Sequence, residues 1–134
     1  MNAFFDSNIL VYAYSTDPRR DRAVDVIADG GVISVQVLNE FTNVLRRKQK
    51  LDWPTIEAAL SSIVFRFPDA RPLTTATHAA AVALARDHGL QFYDALIVAA
   101  ALEAGCDTLV SEDLQHGRSF GGLTIVNPFL QSAP

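Results

Sequence analysis

Apolar and polar residues change rhythm several times along this chain, and the changes mark out its elements. Ala3, Phe4 and Phe5 form an unbroken apolar run, as in a strand covered on both faces. Asp6, Ser7 and Asn8 interrupt it, and apolar residues resume in ILVYAY, which suits either a continued strand or the start of a helix. DPRRDRAVDVIADGG reads as a turn and an amphipathic helix, with Ala23, Val26 and Ile27 as its stripe and Gly30-Gly31 as its stop. VISV, residues 32–35, predicts a second short strand. Val37, Leu38, Phe41, Val44 and Leu45 then recur at helical spacing, with Gln36, Asn39, Glu40 and Asn43 on the other side. Pro54 suits the first position of the next helix. Two more helices follow, closed by Gly89 and Gly105, and residues 95–102 of the second are apolar all round, which predicts burial. DTLVS and GLTIVN predict strands, and RPL, residues 71–73, carries a weak strand signal amid the helices.

Strands alternating with helices predict an α/β layered fold with a mostly parallel sheet. A length of 134 residues suits one domain over the whole chain, 1–134. Hydrophobic residues at 49% and charged residues at 19% describe a globular chain, without repeats or low-complexity tracts. No apolar run reaches the roughly 20 residues that span a bilayer, and the start lacks a basic leader segment. Cys106, the only cysteine, excludes an internal disulfide and fits a cytoplasmic location. His78, His88 and His116 lack zinc spacing. The formal net charge of −4 argues against a basic DNA-binding domain. Seven of the eleven lysines and arginines lie in residues 1–50, and RRKQK supplies Arg46, Arg47, Lys48 and Lys50.

Ligands of parallel sheets bind beyond the carboxyl ends of the strands. Asp6 follows the first strand, and Ser111, Glu112 and Asp113 follow TLV. Asp94 opens the most apolar helix, and Glu40 lies in the early turns of the helix after VISV. Helices that follow parallel strands begin at that same edge, so these acids can converge from distant parts of the chain. Each has a plainer reading: Asp94 as a helix cap, Glu40 on a solvated face, Glu112-Asp113 as turn residues. Asp6 resists one, because a carboxylate ending a buried strand is costly unless paired or metal-bound. Clustered carboxylates repel, and a divalent cation removes the repulsion. Oxygen donors without Cys or His favour Mg2+ or Mn2+ over zinc. Metal-assisted phosphodiester hydrolysis fits such a site.

Four stretches carry a family resemblance: FFDSNILVYA with Asp6, SVQVLNEFTNVLRR with Glu40, and LQFYDALIVAAALEAGCDTLVSEDLQHG with Asp94 and Asp113. The chain resembles PIN domains, and among them the small VapC-type toxins of toxin–antitoxin pairs. One departure stands out. The last motif of the family often reads Thr-x-Asp-x-Asp, whereas here it is Ser111-Glu112-Asp113-Leu114-Gln115, with Glu112 as an alternative acid. The resemblance implies a three-layer α/β/α sandwich and a Mg2+- or Mn2+-dependent ribonuclease. It assigns the metal to Asp6, Asp94, Asp113 and Glu40, with Glu40 also able to orient and deprotonate the attacking water. Ser7, Asn8 and Ser111 would fix the carboxylates. It also implies a homodimer and a cognate antitoxin whose C-terminal segment enters the acidic cleft. Arg46, Arg47, Lys48 and Lys50 are candidates for the RNA backbone, or else complement a helix C-terminus. Trp53, Phe65 and Phe67 are candidates for base stacking or partner contacts, or else core.

Other functions compete. A haloacid-dehalogenase-type phosphotransferase wants a second aspartate two residues after the first, where this chain has Asn8. A receiver domain wants an early acidic pair, which is missing. A PIN-like scaffold that binds without cleaving, and a housekeeping RNA-processing nuclease, both stay open.

Overall fold

The computed structural model describes residues 2–130, and the elements follow from local signals along that stretch. β1 (Ala3–Phe5) gives way to α1 (Ser7–Ala13) because Asp6 takes an extended conformation and its side chain accepts from the Ser7 N–H. The ambiguous ILVYAY segment is therefore helical, and Ile9, Leu10 and Ala13 line its buried face. α2 spans Arg20–Ile27 and α3 Val35–Asn43, the latter running on into a π-helical turn at Val44–Lys48. α4 (Trp53–Arg66) starts one residue before Pro54, because Asp52 caps it through the Thr55 N–H. α5 (Thr75–His88) opens with a reciprocal Thr74–Thr77 capping box and ends on left-handed Gly89, at φ 67°. α6 spans Phe92–Glu103, with Ala95 through Ala101 buried. The last elements are β2 (Thr108–Val110), β3 (Ser119–Phe120) and β4 (Leu123–Val126).

The strands form one sheet in the order β1-β2-β4-β3. β1 pairs with β2 in parallel, Phe4 opposite Leu109, and β2 pairs with β4 in parallel, Leu109 opposite Ile125. β3 and β4 form an antiparallel hairpin over Gly121-Gly122, which the sequence pattern did not reveal because only two residues precede the turn. Successive strand residues point to opposite faces, and Phe4 and Phe5 are both fully buried, so both faces of the sheet are covered. The fold is α/β with a mostly parallel sheet, as expected.

VISV is not a strand. Only Val32 bridges to Phe4 and only Ser34 to Arg71, both in parallel, and Val35 already belongs to α3. Ser34 ends the extended stretch by capping that helix through the Val37 N–H. The faint RPL signal has a counterpart, since the Arg71 N–H donates to the Ile33 carbonyl at 2.8 Å and the Val35 N–H to the Arg71 carbonyl at 2.9 Å. Gly31 permits this close packing: a Cβ there would lie 2.4 Å from the Phe5 ring and 2.8 Å from the Ala3 carbonyl. Among the described residues no helix is long and apolar enough to cross a membrane.

Candidate active site

β1 and β2 lie side by side and end together, so the residues just beyond them meet although more than 100 positions separate them. The Asp6 N–H bonds the Val110 carbonyl at 3.0 Å, which places Asp6 beside Ser111. Asp6 is 3% exposed and spends both carboxylate oxygens on hydrogen bonds. Its Oδ1 accepts from the Ser7 N–H at 2.7 Å, and its Oδ2 from the Ser111 hydroxyl at 2.7 Å and the Asn8 amide at 3.3 Å. Burial pushes its carboxyl up to about 7, against these bonds and with help from the charges of Glu40 and Asp94.

The neighbouring acids are held by the same short stretch. The Ser7 hydroxyl donates to Glu40 Oε1 at 2.9 Å, and Gln36 donates to Glu40 Oε2 at 3.1 Å. The Asn8 amide nitrogen donates to Asp113 Oδ2 at 3.2 Å as well as to Asp6. The Ser111 oxygen in turn accepts from the Asp113 and Leu114 N–H groups, which folds the loop after β2 back over the strand end. Asp94 sits in the first turn of α6 but does not cap it; Gln91 does, through the Asp94 N–H. Among the described residues the Asp94 carboxylate has no hydrogen-bond donor. Burial, then the charges of Glu40 and Asp113, raise its pKa above the usual carboxylate range.

The structure thus brings Asp6, Glu40 and Asp113 into one hydrogen-bonded group, with Asp94 close enough for its charge to be felt by Asp6. Glu112 lies apart. Its carboxylate accepts from the Tyr12 hydroxyl at 2.7 Å and from Arg19 at 3.1 Å, so it is neutralised away from the other acids. Gln36 is the residue that periodicity misassigned. It was expected on an outer face, yet it is 6% exposed and aims at Glu40 one helical turn on. Its position four residues before an acid was the available signal. Tyr12 and Arg19 carried no such signal, because their partner lies at the other end of the chain.

The basic stretch is less uniform than its sequence. Arg46 donates to the Leu51 carbonyl and lies over the Trp53 ring at 4.9 Å, while Arg47, Lys48 and Lys50 are exposed. Phe67 is core, packed edge-on against Phe5; Phe65 is 90% exposed and Trp53 48%. A concavity of about 1220 Å³ opens near the far end of α1, lined by Tyr14, Thr16, Arg20, Gln49 and Leu51 among others, and none of the four acids lines it.

The donor set suits a hard divalent cation, being oxygen only, with two acids pushed up by burial and mutual repulsion that a cation relieves. Among the described residues, however, no three His, Cys, Asp or Glu side chains are gathered closely enough to hold a metal between them. An ion held by these residues would be bound partly through water, as Mg2+ commonly is.

The sequence model of the PIN domain matches residues 3–118, most of the chain and all four acids. The chain belongs to the PIN-domain family. Curated protein sequences give no significant match. Among solved structures, this PIN domain is similar to a toxin–antitoxin complex from Klebsiella pneumoniae, at 20% identity and a TM-score of 0.73, covering 96% of this chain and 98% of that one. It is similar to VapC20 of Mycobacterium tuberculosis, a toxin that cleaves the sarcin–ricin loop, at 19% identity and a TM-score of 0.69, covering 81% of this chain and 87% of that one. It is also similar to VapBC2 of Rickettsia felis, solved with a DNA fragment from its promoter, at 18% identity and a TM-score of 0.66, covering 93% and 97% of the two chains. At these identities the likeness is one of fold.

Proposed function

We propose that this PIN domain is an endoribonuclease dependent on Mg2+ or Mn2+, and the toxin of a VapBC-type pair. The observation that carries the reading is the convergence of Asp6, Glu40 and Asp113 on the hydrogen bonds of Ser7, Asn8 and Ser111, with Asp94 beside them. Asp6, Asp94, Asp113 and Glu40 would hold the ion, directly or through water. When bound, it offsets their charge, activates water and stabilises negative charge on phosphate oxygens.

The chain's own residues do the rest. Ser7, Ser111 and Asn8 fix the two Asp6 oxygens, so that its carboxylate faces the cleft in one orientation. Glu40, oriented by Ser7 and Gln36, takes the proton from the attacking water on its carboxylate. Asp113, exposed, is positioned by the Asn8 amide toward the proposed ion. Arg47, Lys48 and Lys50 offer contacts to the RNA backbone, with Arg46 committed in part to Leu51 and Trp53. The acidic cleft suits a basic inhibitory side chain from an antitoxin. A homodimer, a cytoplasmic location and a single domain across 1–134 complete the proposal.

A second reading, a PIN scaffold that binds without cleaving, draws on one observation: no three acids stand at ligand distance from a common point among the described residues. Cleavage of RNA by the purified chain decides between them. The nuclease reading expects cleavage that requires Mg2+ or Mn2+ and disappears in Asp6→Asn and Asp94→Asn. Cleavage that survives both substitutions, or that needs no divalent ion, contradicts it.

A further inference from the structure

The loop after β2 is tied to α1 by side chains the reaction above does not use. Glu112 accepts from the Tyr12 hydroxyl at 2.7 Å, and Arg19 Nη1 lies 3.1 Å from each of its carboxylate oxygens. The other two guanidinium nitrogens grip Asp17 at 2.8 and 2.9 Å, and the guanidinium lies 4.1 Å over the Tyr12 ring. Arg19 is thus held on three sides, a geometry that a lysine ammonium cannot reproduce. At the base of this cluster the Glu112 backbone N–H donates to Asn8 Oδ1 at 3.1 Å.

That last bond decides which way the Asn8 amide faces. With Oδ1 occupied, Nδ2 must point to the acids, where it bridges Asp6 Oδ2 at 3.3 Å and Asp113 Oδ2 at 3.2 Å. Both bonds are long for N–H···O, so small rotations of the amide would lose them. We propose that Glu112, Tyr12 and Arg19 form a positioning latch that fixes the Asn8 amide and through it sets Asp113 against Asp6. The latch gives Glu112 a role outside the ligand set. Its ion pair is half-exposed, with side-chain exposures of 44% for Arg19 and 25% for Glu112, so it contributes little to folding. Ser111 already anchors the loop independently, through the Asp113 and Leu114 N–H groups. The distinctive consequence of the latch therefore falls on Asn8 and Asp113.

The test compares full-length wild type with Glu112→Ala, Glu112→Gln, Arg19→Ala and Arg86→Ala, the last removing a matched surface ion pair with Asp87. The direct readout is the Asn8 side-chain amide signal in metal-free 15N NMR spectra. It shifts or broadens in Glu112→Ala and Arg19→Ala, stays put in Arg86→Ala, and recovers in part in Glu112→Gln, which keeps an acceptor for Tyr12. Melting temperatures stay close to wild type throughout. The latch's effect on the metal rests on the reading under Proposed function, and is followed by titrating Mn2+ alone: affinity falls roughly tenfold in Glu112→Ala and holds in Arg86→Ala. An Asn8 signal unmoved in Glu112→Ala overturns the latch. Wild-type chain that binds no Mn2+ overturns the metal reading instead, and the Asn8 signal still decides the latch.

Discussion

At the scale of the residue, Asp6 is where stability and the proposed activity conflict. Burial holds its carboxyl near 7 in the folded chain, against an ordinary aspartate value of 3.8. Between those values the folded chain keeps a proton that the unfolded chain releases. Without metal, stability therefore falls as pH rises from about 4 to about 7, at roughly 1.4 kcal/mol per unit. Asp6→Asn carries no charge; its one amide oxygen keeps the Ser7 cap, while its NH2 stands where Ser111 and Asn8 had an acceptor and can only donate toward the Ser111 oxygen. The variant should be the more stable protein in urea unfolding at pH 8, by a few kcal/mol, and should lose that advantage at pH 4. An Asn variant no more stable than wild type at pH 8 would show that Asp6 is ionised there at no cost. Ser111→Ala acts the other way. It takes a 2.7 Å donor from Asp6 and an acceptor from two N–H groups, and should cost about 1–3 kcal/mol in the same assay.

At the scale of the element, short pieces do the placing. β1 and β2 have three residues each, yet their parallel register brings Asp6 to Ser111. Gly31 lets the backbone of residues 31–34 pack against β1, so Gly31→Ala forces a methyl group into the Phe5 ring. That substitution should lower stability by about 1–3 kcal/mol in thermal unfolding, and an unchanged melting temperature would mean the strand edge yields freely. Much of this scale was legible in the sequence. Helix caps and stops, the all-apolar α6 and the strand-end acids each rest on local patterns. VISV was misread because a serine cap outweighed strand propensity after two residues, and β3 was missed because two residues carry no period. Strand ends and helix starts marked Asp6, Glu40, Asp94 and the Glu112-Asp113 pair as candidates, and the family resemblance favoured Asp113 of that pair. Gln36 was assigned outward by the periodicity although its side chain points inward, and its place four residues before Glu40 was the one local signal against that. The Tyr12–Arg19–Glu112 cluster joins distant segments, and no local pattern encodes such a pairing.

At the scale of the whole molecule, the proposed function asks a chain of net charge −4 to hold a polyanion. The proposed metal site and the exposed Arg47, Lys48 and Lys50 would be its means of doing so. RNA binding by the Asp94→Asn chain, followed by fluorescence anisotropy, should weaken linearly with the logarithm of salt concentration. Arg47→Ala and Lys48→Ala should each flatten that slope by roughly 0.7 to 1. A slope unchanged in both variants would make these residues a solvated helix end. We propose that four carboxylates, from the end of β1, α3, α6 and the loop after β2, serve one divalent cation. Calorimetric titration of the metal-free chain with Mn2+ tests it most directly. Binding should be saturable and should weaken by at least about tenfold in Asp6→Asn and in Asp94→Asn. Binding of equal strength in wild type and both variants, or none in wild type, would contradict it.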